Sequence, residues 1–325
     1  MKRAPAAILV AVVCVSVASV LIRWSLDLGA SALVIAIYRL GFATLILAPF
    51  LLTARGAQFR ALSPRDYGLL AVVGFALAVH FATWILSLQL VDVATSVVLV
   101  TSHPLLVAVL SHFLFREKVT RLMAVGVVVG FGGVVLIAVT QSGRGAGSLL
   151  GAVLAFLGAI GAGAYLLAGR RLRQRMDLVP YATTVYAFAV LFLLLFSLLS
   201  ATPVVLTSNV APILAVLLLM AFVSQIGGHT MYNYALKHVS ATVVSTSLLG
   251  EPIGASLLAF LFLGEVPGCP GGGACPATGL VVFGSALALV GIYLTARASL
   301  RPSSRAEDAV STGGLDKGRS RTPPP

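Results

Sequence analysis

Of the ten acidic residues in this chain, Glu251 alone stands well inside a long apolar run, directly before Pro252. It lies about twelve residues from the start of that run, roughly 18 Å deep at about 1.5 Å per residue and close to the middle of a ~30 Å hydrocarbon core. An ionised carboxylate there costs about 3 kcal/mol or more against lipid, so Glu251 must meet a partner, line an aqueous cavity or carry a proton. Two chemistries follow: proton exchange during a transport cycle, or a structural carboxyl bonded to backbone carbonyls that Pro252 releases. His103 precedes Pro104 in the same manner, about ten residues or ~15 Å into another apolar run. Its imidazole titrates near neutrality and can relay protons or hold an anionic group. A packing role within the helix is the alternative.

Helical spacing gathers further polar groups around these two. Gln225, His229 and Tyr232 fall at i, i+4 and i+7 of one apolar run, and His80, Trp84 and Ser87 do so on another. Such stripes must turn toward protein or a cavity rather than lipid. Ser247 stands one turn before Glu251. Lone serines commonly bond their own backbone, which gives the His, Tyr and Trp positions more weight. An aromatic-lined cavity with few polar groups suits an amphipathic metabolite, while packing against lipid is the competing role for Trp84. Arg39 is the single base inside the apolar part of a helix, seven residues from that helix's end. It can bind a substrate carboxylate, balance Glu251, or extend to the interface along its own length.

Enzyme chemistry finds little support. There is no nucleophile with its base, no pair of carboxylates at one depth, no phosphate loop following a strand, and no zinc spacing among three cysteines and five histidines. The expectation is no catalytic residue, no metal, no cofactor and no enzyme activity, with a gradient supplying the energy. Cys269 and Cys275 share a loop and can pair in an oxidising compartment, whereas Cys14 is expected to be buried in the first helix.

The elements that must position these groups are set by composition. With 59% hydrophobic residues, 10% charged and a mean hydropathy of +1.03, the chain cannot cover itself with a water-facing surface and reads as a polytopic membrane protein. Ten apolar runs are long enough to cross a bilayer: Ala4 to Ile22, Ala32 to Leu52, Tyr67 to Gln89, Val93 to Phe115, Thr120 to Thr140, Ser148 to Gly169, Pro180 to Ala201, Pro212 to Leu236, Val239 to Gly264 and Pro276 to Ala296. The narrowest divisions are at Asp92 and at Lys237-His238. The net charge of +12 follows the positive-inside bias rather than a nucleic-acid surface: with the N-terminus in the cytoplasm, nineteen Lys and Arg fall inside and only Arg23 and Arg144 outside. Both termini are then cytoplasmic in a cell membrane, inner or plasma. Lys2-Arg3 before an apolar run resembles the start of a signal peptide, but the run is longer than the usual apolar region and reads as a retained first helix. Residues 297–325 abandon the apolar pattern and read as a disordered cytoplasmic tail, with lipid head-group contact as the alternative.

The chain also repeats itself. Val93-Ala94-Thr95-Ser96 through His103-Pro104 to Glu117 is echoed by Ser240-Ala241-Thr242 through Glu251-Pro252 to Glu265, at an offset of 148 residues. Gly126 and Gly133 are echoed by Gly284 and Gly291 at 158, the difference falling in the Pro267-to-Pro276 insertion. Five spans per copy reverse the second copy in the membrane, so residues 4–140 and 148–296 are expected to be inverted repeats. Glycines 126, 130 and 133, 151, 158 and 161, and Gly284 with Ala288 are placed to permit close helix contact.

Several of these passages together resemble the ten-helix EamA-type members of the drug/metabolite transporter superfamily. Ile37-Tyr38-Arg39-Leu40 is similar to the family's second-helix arginine motif, Tyr165 through Gly169-Arg170-Arg171 to the end of its sixth helix, and Tyr232-Asn233-Tyr234-Ala235-Leu236-Lys237 to the end of its eighth. The two Pro-to-Glu segments resemble its fourth and ninth helices. His103 departs from the pattern, since a small or acidic residue is more usual there, and Gly271-Gly272-Gly273 looks like a local elaboration. The resemblance implies two five-helix repeats around a central cavity, with the fifth and tenth helices packed away from it. It also implies secondary transport, most often export of amino acids or other small metabolites. The expected partners are a small-molecule substrate and membrane lipid, with a homodimer left open. A lipid-binding or flippase-like protein is the alternative function.

Overall fold

The apolar runs fold as helices in the computed structural model, which describes residues 3–51, 62–115, 120–142, 146–239, 241–248, 250–269 and 276–299. Among the described residues nine helical segments are long and apolar enough to cross a bilayer: Ala4–Asp27, Ala32–Leu51, Pro64–Ser87, Arg121–Thr140, Ser148–Arg173, Leu178–Leu199, Val210–Ala235, Val243–Leu263 and Ala277–Thr295. Another span, fourth in chain order, is split into Val93–Val100 and His103–Phe115. The chain is thus an all-α polytopic membrane protein with ten spans. Large apolar side chains such as Phe113, Val128, Leu198 and Leu199 remain exposed on its outside, as a lipid-facing surface requires. The tail from 300 onward, Glu117, Arg144 and Gly271-Gly272-Gly273 lie outside the described residues. So does Cys275, and with it the expected pairing with Cys269.

Local chemistry sets the helix ends. Ser63 and Asp66 form a capping box at the start of the third span. Asp92 accepts from the Thr95 N–H at 2.9 Å and so starts the fourth span at the narrow division expected there. The turn through Lys237 and His238 separates the eighth span from the ninth. Interspan contacts sort these ends into two sets. At one end Arg23 pairs with Glu265 at 3.0 Å and Asn209 donates to the Leu28 carbonyl. At the other, Arg175 faces Asp66 at 3.8 Å and Lys237 faces Asp177 at 3.4 Å. This sorting is what ten spans of alternating direction require.

The inverted repeat is visible in the break of the fourth span and its counterpart. The ninth span is interrupted between Ala241–Ser247 and Gly250–Leu263, at the register of the break between Val100 and His103. Each interruption lies two or three residues before a proline, whose missing N–H leaves the carbonyl four residues earlier without its helical donor. His103 and Glu251 therefore both stand in the first turn of a second half-helix. The eighth span departs from α geometry too: Val210–Met220 passes through a π-helix, Ala221–Thr230, into Met231–Ala235.

Glycines bring several helix pairs together. A Cβ added to Gly126 would lie 2.5 Å from the Thr295 hydroxyl and 2.7 Å from its backbone nitrogen, and one on Gly133 would lie 2.5 Å from the Ala288 nitrogen. Gly291 packs directly on Gly130. The fifth and tenth spans thus join backbone to backbone through the two sets of repeated glycines. Gly126→Leu is expected to cost about 1–3 kcal/mol by overpacking and to lower the Tm in detergent. Gly132→Leu serves as the control, because a Cβ there meets nothing within 4 Å; equal Tm losses in the two variants would refute this account.

Candidate functional site

The third and sixth spans approach closely because Gly161 leaves room: a Cβ on it would sit 2.8 Å from the Ala76 carbonyl and the His80 nitrogen. That contact, and the half-helices of the fourth and ninth spans, border one chamber inside the helix bundle. Its polar and aromatic lining is His80, Trp84, Thr101, His103, Tyr165, His229, Tyr232 and Glu251. Six of the nine residues singled out in the sequence therefore share one chamber, and each belongs to the third, fourth, eighth or ninth span.

The remaining three stand behind its wall. Arg39 is fully buried, its guanidinium 4.2 Å above the Phe81 ring, so it does not extend to the interface; Phe81 in turn packs edge-on against His229 at 5.1 Å. None of the Arg39 nitrogens has a hydrogen-bond partner among the described residues. Its charge and that of Glu251 act on one another, although no ion pair within 4 Å joins them. Gln225 lies beside the Tyr186 hydroxyl rather than in the chamber. The wide winding of the π-helix takes it off the face shared by His229 and Tyr232, which corrects the expectation of a single α-helical stripe. Ser247 stands next to Tyr232 and donates to the Val244 carbonyl at 2.6 Å, the backbone bond expected of a lone serine. Cys14 is half-buried rather than buried, because it packs on the edge of the first span, where a Cβ on Gly227 would meet its sulfur at 2.9 Å.

Inside the chamber aromatic rings dominate. His80 stacks on Trp84 with 5.6 Å between centroids and an 18° interplanar angle, and His229 is 6.1 Å from His80 and 6.4 Å from Tyr165. Backbone carbonyls hold two of the imidazoles: Nδ1 of His80 is 2.9 Å from the Gly158 oxygen, and Nδ1 of His103 is 3.2 Å from the Val100 oxygen. Among the described residues the Trp84 indole nitrogen, the His103 Nε2 and the Tyr232 hydroxyl are buried without a hydrogen-bond partner. Buried polar atoms are rarely left so, and three of them around one chamber mark it as a place for a polar guest. Glu251 is the single carboxylate in the lining.

Below the chamber lies a polar network that the sequence reasoning missed as part of the site. Tyr165 donates to Asn233 Oδ1 at 2.7 Å, Arg173 donates to the Asn233 carbonyl at 2.8 Å, and the hydroxyls of Tyr186 and Thr230 are 2.9 Å apart. It ties the sixth and seventh spans to the end of the eighth. Tyr165 and Asn233 were visible only as parts of longer motifs, since one Tyr or Asn carries no spacing signal of its own. Among the described residues no group of three His, Cys, Asp or Glu side chains is arranged to hold a metal ion.

Comparison with known proteins bears on both halves. Residues 3–139 and 149–297 match a family described as the EamA-like transporter family. An uncharacterized transporter of Clostridium kluyveri is 25% identical over 209 residues, 63% of this chain and 67% of its own length. The uncharacterized transporter YyaM of Bacillus subtilis is 24% identical over 251 residues, 71% of this chain and 80% of its own, and YetK of the same organism is 29% identical over 148 residues. A crystal structure 20% identical in sequence covers 93% of this chain and 100% of its own with a TM-score of 0.61, a likeness of fold alone.

Proposed function

This chain belongs to the EamA-like transporter family, and from that premise we propose that it exports amino acids or related small metabolites by alternating access, coupled to proton movement. The observation that carries the proposal is the meeting of two interrupted helices, one from each inverted repeat, at one buried chamber that holds His103 and Glu251. Interrupted helices near the bilayer midplane are how secondary transporters expose polar groups to a substrate without facing lipid. Glu251 is read as the group that exchanges a proton, the imidazoles as relays or substrate contacts, and rocking of the repeats as the step that opens the chamber to each side in turn. The asymmetry of basic residues supports cytoplasmic termini in a cell membrane, which makes the end bearing Arg23 and Glu265 external.

The test is reconstitution. Purified protein in liposomes with an internal pH dye is given a panel of amino acids and small metabolites, and substrate-dependent proton movement is expected for at least one class. Movement of labelled lipid without solute flux would replace this reading with lipid translocation. Solute flux without proton movement would leave a facilitator.

A further inference from the structure

The tautomers that the backbone imposes decide what kind of head group the chamber accepts. A ring nitrogen facing a carbonyl oxygen must carry the proton, so His80 donates from Nδ1 to Gly158 and His103 from Nδ1 to Val100. Neither ring is paired with a carboxylate, and a buried unpaired charge is costly, so each imidazole is neutral with Nε2 as an acceptor. Nε2 of His103 has no hydrogen-bond partner among the described residues. The third acceptor is the Glu251 carboxylate, in the first turn of its half-helix, where a negative charge is favoured. Trp84, Tyr165 and Tyr232 line the chamber with these acceptors, and aromatic rings are side chains that can attract a cation. The positive counter-charge, Arg39, is outside the chamber lining and covered by Phe81.

We propose that the chamber recognises its substrate by a protonated amine, which donates to Glu251 and to Nε2 of His103 and His80 while an apolar or aromatic body lies against Trp84 and Tyr165. The inference rests on the transport reading above and narrows it: the amine is required and a carboxylate elsewhere on the molecule is dispensable. The Trp84 N–H and the Tyr232 hydroxyl remain available to an acceptor on the body of the substrate.

Binding in detergent tests this without any need for flux. The chain has two tryptophans, so in Trp24→Phe protein the emission reports Trp84 alone. Phenethylamine and phenylalanine are expected to change that emission saturably, and phenylpropanoate and N-acetylphenylalanine, which lack the charged amine, are not. His103→Leu is expected to weaken phenethylamine binding ~10- to 100-fold, the equivalent of one hydrogen bond to a charged group. His103→Asn, which returns a side-chain acceptor, is expected to recover part of it and so separates a lost contact from a misfolded protein. Saturable binding of phenylpropanoate, or equal binding of phenylalanine and its N-acetyl form, overturns the inference. Transport of an amine-free metabolite with no response to phenethylamine also overturns it while sparing the transport reading; a response to phenethylamine with no solute flux in liposomes does the reverse.

Discussion

In proteoliposomes the Glu251→Gln protein is expected to lose substrate-dependent proton movement altogether and to bind substrate about 10- to 100-fold more weakly. The magnitude is that of one hydrogen bond to a charged group, about 1.5–3 kcal/mol, with each ~1.4 kcal/mol worth about tenfold in affinity. Among the described residues no other carboxylate lines the chamber, so no second carboxyl there can take over proton exchange. Glutamine has the same shape, and Glu251 is 6% exposed in a tight first turn whose neighbour Gly250 lies against Val12. The fold and the fit against the first span are therefore expected to survive, which unchanged elution and Tm would verify. Equal proton movement in both proteins would assign Glu251 to the backbone carbonyls around Pro252 and return it to a structural role.

The second large effect lies at the end that carries Arg23 and Glu265. Arg23 Nε is 3.0 Å from Glu265 Oε1, Glu265 Oε2 accepts from the Val93 N–H at 2.8 Å, and Arg23 also donates to the carbonyls of Leu88 and Val91. These contacts fasten the end of the ninth span to the first span and to the turn before the fourth, one repeat to the other. In Glu265→Ala the Val93 N–H loses its acceptor, at about 1–3 kcal/mol, and Arg23 loses its ion-pair partner. The chamber is then expected to open at that end. A cysteine placed at Thr101, in the chamber lining, is expected to react with an impermeant thiol reagent applied from that side at least ~10-fold faster in the Glu265→Ala background, measured in Cys14→Ser protein and against the same protein with native Thr101. No acceleration would remove the clamp from the transport cycle.

Glu265→Gln, which keeps an acceptor, is expected to open far less, and pH tells the two apart. Burial raises the Glu265 carboxyl above the ordinary value of 4.5, against the opposing effects of the Val93 N–H and Arg23. A closed form with a raised carboxyl binds its proton more tightly than an open form in water. The stability it confers is fully present below the ordinary value and is lost as pH rises through the raised one. Relative to Glu265→Gln, which does not titrate there, the wild-type Tm is therefore expected to fall as pH climbs through that window. A wild-type Tm that instead rose relative to Glu265→Gln would mean the ion pair outweighs desolvation.

Much of this architecture is legible in the residues because the membrane removes alternatives. Backbone groups in hydrocarbon must be satisfied within the helix, so run length alone gives the spans, and the 148-residue echo of a His-Pro and a Glu-Pro gives the register at which two of them break. Depth is similarly readable: the cost of a charge in lipid singles out Glu251 before any coordinate is known. The chain alone also determines class, family and the candidates for the site.

Rotation about each helix axis is what the sequence leaves open, because it depends on which neighbours pack where. Only the tertiary structure sends His80, Trp84, His229 and Tyr232 into one chamber with His103 and Glu251, turns Gln225 aside on a π-helix, and lays Arg39 on Phe81 rather than at the interface. It alone joins Arg23 to Glu265 across 242 residues. The physical reason is common to these cases: local energetics fix a helix's length and ends, but the direction of each side chain is settled by close packing between helices, here through glycines whose missing side chains let particular backbones meet.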